Sequence, residues 1–406
     1  MDVCTALFSP ESAKNPYPLF AQLRSESPVL RLEKYGWWAV SRHEDVTTVM
    51  KRHDLFSSQT GLERMRPQHL DEQTWQELAI LRTRSMLNAD PPAHSRLRRL
   101  VSAAFTPRAL TALEGRVQQI VRALVDDIVA RDHFDLVADL AIPLPVTVIA
   151  EMLGIDPERG PDFKRWSDDL VELSRLVREQ GMAPEHKQRL VASRRELIDY
   201  LETMIATRRE QPRDDLLSEL TRALDHDNGL TAQEVLGMAV LLLIAGNETT
   251  THLIATGTHL LLEHPEALAA LRAEPSLVPN FIEEVLRFEG PVTMLFRRTT
   301  ADVQLSGATI PQGELVLALV AAANRDPAQF PDPDRFDIRR NTHGHLAFGH
   351  GIHFCVGAPL SRLEGRVAFT ELLGRTPPFA RIDPRPAWGD NPGLRGIRAL
   401  PLRFDR

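Results

Sequence analysis

The chain has little sulfur. Among its 406 residues there are two cysteines, Cys4 and Cys355, too few for a disulfide framework and in keeping with a reducing compartment. Any chemistry resting on sulfur must rest on one residue, and Cys4, near the terminus, is read as carrying none. Lysine is nearly as scarce: five stand against 43 arginines, a bias toward forked carboxylate pairs. Positive charge is not in excess, since the formal net charge is −7, and nucleic acid is not expected as a partner. Apolar runs are short. The run Val235–Gly246 falls below the roughly 20 residues that cross a bilayer, so no membrane association is expected. Met1-Asp2-Val3-Cys4 opens without the basic and apolar regions of a secretory signal. No Gly/Ser-rich linker and no repeat divides the chain. The expectation is a cytoplasmic protein with residues 1–406 as a single domain.

What is present is mostly helical periodicity. Pro28 to Ser41 alternates and turns at Gly36, which predicts a β-hairpin. From about Ser95 to Phe288 the apolar period is helical, with one stripe at Leu110, Leu113, Val117, Ile120, Val121 and Leu124 and another at Leu190, Leu197, Leu201, Met204 and Ile205. Thr231–Leu262 reads as one long core helix, capped by Thr231 with Glu234 closing a capping box. Val292–Val320 is β-rich. Asn324–Gly357 has little periodicity, and such a segment inside a compact domain is usually functional. A helix over about Ala358–Leu373 follows.

Three runs carry chemistry. Phe348-Gly-His-Gly-Ile-His-Phe-Cys-Val-Gly357 puts Cys355 in a glycine-rich loop before a helix. The positive end of that helix favours thiolate, and the glycines admit a large flat partner close to the backbone. A lone thiolate so placed suits axial ligation of haem iron. A buried inert cysteine is one alternative. A zinc site from His343, His345, His350, His353 and Cys355 is another, although structural zinc sites usually pair cysteines. Within the long helix, Ala245-Gly-Asn-Glu-Thr-Thr250 sets an acid and a hydroxyl among aliphatics. Gly and Thr there can open the helix ladder, with Thr249 as hydroxyl donor and Glu248 as relay toward water; a plain kink with a satisfied Thr is the alternative. Glu284-Val-Leu-Arg287 places a carboxylate and a guanidinium on one helix face.

Together and in this order, the three runs resemble the cytochrome P450 family, most closely its soluble bacterial members. Phe348, Gly351, Cys355 and Gly357 fill the family's cysteine-loop pattern; Ala245, Gly246, Glu248 and Thr249 fill its acid–alcohol motif; Glu284 and Arg287 match its Glu-x-x-Arg. Phe330–Asp337 looks like the meander segment, with Arg335 completing a triad with that pair. The resemblance implies a mainly α fold with minor β, a single P450-type domain with a long central helix over the haem. It implies haem b with Cys355 on iron and Gly357 and Ala245 against the cofactor. Its propionates would meet His94, Arg98, Arg297 and His353, with Arg298 an adjacent rival for Arg297.

The implied reaction is O2-dependent monooxygenation, by hydroxylation or epoxidation, as in secondary metabolism, with Thr249 and Glu248 delivering protons. Peroxide-driven turnover on the same haem and a non-enzymatic haem or zinc binder are the alternatives. Electrons are expected from a separate ferredoxin or flavodoxin, and Arg96, Arg99, Arg108, Arg362 and Arg366 are candidates to steer an acidic partner. The protein is expected to be a monomer. The expected pocket walls are Ser57–Asp90, Asp162–Gly181, Val240, Leu241, Ile244, Ala245, Val292–Phe296 and Leu394–Ile397, implying a hydrophobic small-molecule substrate. Arg66, Arg82, Arg84 and Arg395 are candidates to anchor a substrate carboxylate.

Overall fold

The computed structural model describes residues 3–405 except 63–65, 67–69, 78–84, 103–104, 177–182, 223 and 225–228. Arg82, Arg84 and the side chain of Cys4 lie outside the described residues. The fold is mainly helical, about 59% helix with 11% strand, and divides into two compact units.

The first unit comprises Met1–Thr60, Leu110–Ile142 and Thr249–Arg406. Its helices are α1 (Val3–Leu7), α2 (Pro10–Lys14), α3 (Tyr17–Glu26), α4 (His43–Lys51), most of α7 (Pro107–Val129), α13 (Pro265–Ala273), α14 (Val278–Glu289), α15 (Val320–Ala323) and α16 (Ala358–Arg375). It holds a five-stranded sheet in the order β1 (Val29–Leu32), β2 (Trp37–Val40), β8 (Leu315–Ala318), β5 (Leu295–Thr299), β3 (Phe56–Ser57). The β1–β2 hairpin forms as expected, its turn closing at Gly36 with φ +66°. β2 and β8 pair in parallel; the other neighbours are antiparallel. A small hairpin joins β6 (Val303–Leu305) to β7 (Ala308–Ile310). A three-stranded sheet places β12 (Pro401–Phe404) between β4 (His133–Asp135) and β9 (Phe379–Arg381). β4 interrupts the expected helical stretch, because its pairing partner lies near the end of the chain and leaves no local periodicity to read.

The second unit, Gly61–Ala109 with Pro143–Glu248, contains α5 (Glu72–Glu77), α6 (Ala93–Ser102), α8 (Pro143–Leu153), α9 (Gly160–Leu176), α10 (Pro184–Glu210) and α11 (Leu216–Arg222). The expected stripe of α10, from Leu190 to Ile205, is buried. A buried Arg208–Asp215 pair at 2.6 Å, with Arg208 Nη2 donating to Gly154 O at 2.8 Å, ties α10 to the turn after α8. Gly154 has φ +75°, and Asp215 fills the space a side chain there would need.

Helix α12 (Ala232–Glu263) belongs to both units. Its capping box forms: Glu234 N–H donates to Thr231 Oγ1 at 3.2 Å, and Thr231 N–H to Glu234 Oε2 at 2.8 Å. The helix runs unbroken through Gly246–Thr250, so the expected local opening is not seen. Among the described residues it is the one helix long and apolar enough to cross a membrane. That is a correction to the sequence reading, which counted only its unbroken apolar stretch; 67% of the apolar window is buried inside the fold, as in a core helix.

Glu284 and Arg287 on α14 are both closed to solvent and pair at 2.7 Å. Arg287 also donates to the carbonyls of Asn324 (3.0 Å) and Pro333 (2.9 Å), and Asp337 N–H donates to Glu284 Oε1 at 2.9 Å. The second guanidinium on Glu284 is that of Arg340, at 3.4 Å, and not the expected Arg335. The Arg335 side chain turns to Asp337 and is 69% exposed. Loss of one member of a buried pair strands the other charge. Arg287→Ala is therefore expected to lower stability by about 3–5 kcal/mol, read from urea unfolding; a loss as small as that of an exposed pair would contradict this role.

Candidate functional site

The loop Phe348–Gly357 is built by backbone geometry. Gly349 and Gly351 have φ of +73° and +69°, a region that strains other residues. A Cβ on Gly351 would also lie 2.9 Å from Met50 O on α4. Cys355 N–H donates to Phe348 O at 2.8 Å and closes the loop. Gly357 then caps α16, and Ser361 N–H donates to Gly357 O at 2.9 Å. The Cys355 side chain is exposed at this helix N-terminus, where the helix dipole favours its anion.

A cation reinforces that preference. Arg362 lies over the Phe348 ring at 4.5 Å and forks onto Glu283 of α14 at 2.6 and 2.8 Å. Its guanidinium is held above its ordinary value by the Glu283 hydrogen bond and in part by the charge of Cys355. Burial pushes the Glu283 carboxyl upward, but hydrogen bonds from Arg362 and His345 outweigh it and hold it at about 2. Ala347 N–H donates to His345 Nδ1 at 3.3 Å, so the proton sits on Nε2, which donates to Glu283 Oε2 at 2.9 Å.

The histidines do not gather around the sulfur. His345 turns to Glu283, and His353 Nε2 lies 2.8 Å from Ser58 Oγ. Among the described residues no three His, Cys, Asp or Glu side chains are arranged to hold a metal ion. The zinc alternative has no ligand set here.

Strand parity separates the two candidate arginines. Arg297 and Arg298 pair with Val316 and Leu315 of β8 and point to opposite faces of the sheet. Arg298 donates to the carbonyls of Thr60 and Gly313. Arg297 is 8% exposed, with Nη1 on its neighbour's carbonyl, Phe296 O, at 2.8 Å.

In the second unit, His94 and Arg98 share one face of α6, and His94 is 2% exposed. Arg96 points elsewhere, onto Glu234 and Gly229 O. Along α12, Ala245, Glu248 and Thr249 follow one helical face, with Ala245 exposed and the other two half-buried. Between them Asn247 is buried and donates to Ser167 Oγ of α9 at 2.7 Å.

Several expectations change. Arg395 is 5% exposed, stacks on Trp388 at 3.7 Å, and bonds Glu289 and the carbonyls of Ala13 and Lys14. It is a strut, not a substrate anchor. Arg66 is exposed on its own loop, against Leu70 O and Glu72. Of the five steering arginines, Arg96, Arg362 and Arg366 are paired with Glu234, Glu283 and Glu114. Arg99 and Arg108 are exposed and have no carboxylate partner among the described residues. Two expected pocket walls do meet, since Val292 bridges Leu394 and Arg395 N–H donates to Pro291 O at 2.8 Å. Val240 is buried in the core of its unit.

The family model described as Cytochrome P450 matches residues 15–375. The chain is 44% identical over 409 residues to Cytochrome P450 monooxygenase PikC of Streptomyces venezuelae, covering 97% of this chain and 92% of that one. It is 39% identical to 6-deoxyerythronolide B hydroxylase of Saccharopolyspora erythraea, covering 96% of each. The crystal structure of CYP109E1 from Bacillus megaterium in complex with corticosterone superposes with a TM-score of 0.85 at 34% identity, over 98% of this chain and all of that one.

Two outcomes follow from the Glu283 cluster. Arg362→Ala is expected to raise the Cys355 thiol pKa, read as an alkaline shift in the pH dependence of alkylation. Because the Glu283 carboxyl is held low, its contribution to stability is full above its ordinary value near 4.5 and is lost as pH falls toward 2. The stability gap between the wild type and Glu283→Gln should therefore close on acidification.

Proposed function

Because the chain belongs to the cytochrome P450 family, we propose that Cys355 is the axial ligand of its haem iron and that Thr249 and Glu248 serve its O2-dependent reaction. The enzyme is a monooxygenase, an oxidoreductase that uses haem b held by a cysteine thiolate, together with O2, a small-molecule substrate and a redox partner protein. The observation that carries the assignment is the exposed Cys355 sulfur on a glycine-built loop. A Cβ placed on Gly357 would stand 3.9 Å from Sγ, so glycine leaves the space beside the sulfur open to a flat macrocycle. We take residues 1–406 as one haem-thiolate domain, supported by a family match that runs through segments of both units.

When bound, the haem supplies reductive activation of O2 and insertion of one oxygen atom into a C–H bond or an alkene. The chain's own residues prepare that chemistry. The α16 N-terminus and Arg362 favour the Cys355 thiolate, the form that would hold the haem iron. Ala245 and Gly357 each carry little side-chain bulk, which would suit a residue beside a flat cofactor. His94, Arg98, Arg297 and His353 carry N–H groups suited to propionate carboxylates. Arg297 is preferred to Arg298 because the Arg298 guanidinium is occupied by two carbonyls. The Thr249 hydroxyl would supply one hydrogen bond within the site, and the Glu248 carboxyl would exchange protons with water. This pair favours O2 over peroxide as oxidant.

The proposed substrate is a hydrophobic molecule of macrolide or steroid size. Support comes from the relatives named as acting on 6-deoxyerythronolide B and holding corticosterone. Electrons are assigned to a ferredoxin or flavodoxin, with Arg99 and Arg108 as the exposed cations that meet its acidic face. The protein is taken as a cytoplasmic monomer.

Reduced protein with carbon monoxide should show the thiolate-type Soret band, and Cys355→Ala should abolish it; a band that survives the substitution refutes the ligand. Thr249→Ala is expected to lower product formed per NADPH by about 10²-fold. Strong turnover with hydrogen peroxide and none with NADPH and a ferredoxin pair would reverse the preference for O2.

A further inference from the structure

Nothing in the reaction above uses Glu364, yet it is the most unusual acid of the first unit. It sits on α16 between Leu363 and Gly365 and is 1% exposed. Its neighbours on the same face of α16, Leu360, Val367 and Ala368, are buried and apolar. Glu364 Oε1 has no hydrogen-bond partner among the described residues. The carboxyl hydrogen bonds Thr250 of α12. Thr250 Oγ1 also lies within hydrogen-bond distance of Ser361 Oγ, one turn back on α16, at 3.2 Å.

The other ionisable groups on the surrounding helices are engaged elsewhere. On α16, Arg362 and Arg366 pair with Glu283 of α14 and Glu114 of α7. Glu284 and Arg287 of α14 pair with each other. On α12 the ionisable neighbours of Thr250 are Glu248 and His252, both with other interactions. No cation compensates Glu364 among the described residues, and an uncompensated buried carboxylate is expensive. One hydrogen bond from Thr250 is small compensation for the loss of solvation, so burial decides the form and favours the carboxylic acid.

We propose that Glu364 is held as a neutral carboxylic acid and acts as a positioning residue, anchoring Thr250 to α16 and so fixing the stretch of α12 that carries Thr249 and Glu248. Burial, against a smaller opposing effect of the Thr250 hydrogen bond, raises its pKa from 4.5 to about 8. Between those values the folded chain keeps a proton that the unfolded chain releases, so this residue makes stability fall as pH rises.

The positioning half of the proposal rests on the monooxygenase reading, so the test has separate arms on the holoenzyme. The infrared spectrum at neutral pH should contain a protonated-carboxyl band that Glu364→Gln removes and that titrates away near pH 8. The melting temperature of Glu364→Gln relative to the wild type should rise steadily from pH 5 to pH 8. With a surrogate ferredoxin and reductase, hydrogen peroxide released per NADPH should rise about tenfold in Glu364→Ala and stay near wild type in the neutral isostere Glu364→Gln. No acid band, or a melting difference independent of pH, overturns the neutral acid. Equal leakage from the two variants, or none from Glu364→Ala, overturns the positioning role. Absence of the thiolate band with carbon monoxide in the wild type would instead overturn the monooxygenase reading and leave the infrared and melting results standing.

Discussion

Two adjacent carboxylates on α14 hold most of the cysteine side of this protein in place. Glu284 forms a solvent-free pair with Arg287, whose remaining N–H groups take carbonyls from Asn324 and Pro333. Asn324 Oδ1 accepts from Leu346 N–H at 2.6 Å, so the segment leading into the cysteine loop is tied to the same helix. Glu283, one residue earlier, takes Arg362 and His345. The long stretch from Asn324 to Gly357 has almost no regular structure of its own. Its backbone groups must be satisfied from outside, and α14 supplies much of what they need. A rigid loop is required if a lone sulfur is to present a fixed geometry to a metal.

The same economy of charge runs through the site. Arginines that looked available in the sequence are mostly committed: Arg395 to Glu289 and two carbonyls, Arg362 to Glu283, Arg366 to Glu114, Arg298 to Thr60 and Gly313. A chain with 43 arginines uses many of them as forked struts across loops, as their planar donor geometry suits them to do. Counting cations near a motif therefore overstates the charge a partner would meet.

Glu364 shows the opposite case, a carboxyl with no cation at all. It interrupts the buried row Leu360, Leu363, Val367 on α16, and an acid set in such a row is a signal that sequence inspection can register. Whether the acid is paired with an arginine, bonded to a hydroxyl or snorkelling to water is not written in the row. That depended on α12 delivering Thr250 to the same spot.

Local rules carried a large part of this protein. The hairpin at Gly36, the capping box at Thr231, the long core helix, and the glycine-rich loop before α16 all appear where short-range periodicity and turn chemistry put them. Each is decided by residues within a few positions of one another. Tertiary structure alone decided the rest. It paired β4 with the end of the chain, set Arg340 rather than Arg335 on Glu284, turned Arg297 and Arg298 to opposite faces, and spent Arg395 on a strut. In each case the partner lies far away in sequence or on another strand or helix. A side chain's chemistry is legible from its type, but what that chemistry is spent on depends on which distant groups folding brings within hydrogen-bond reach.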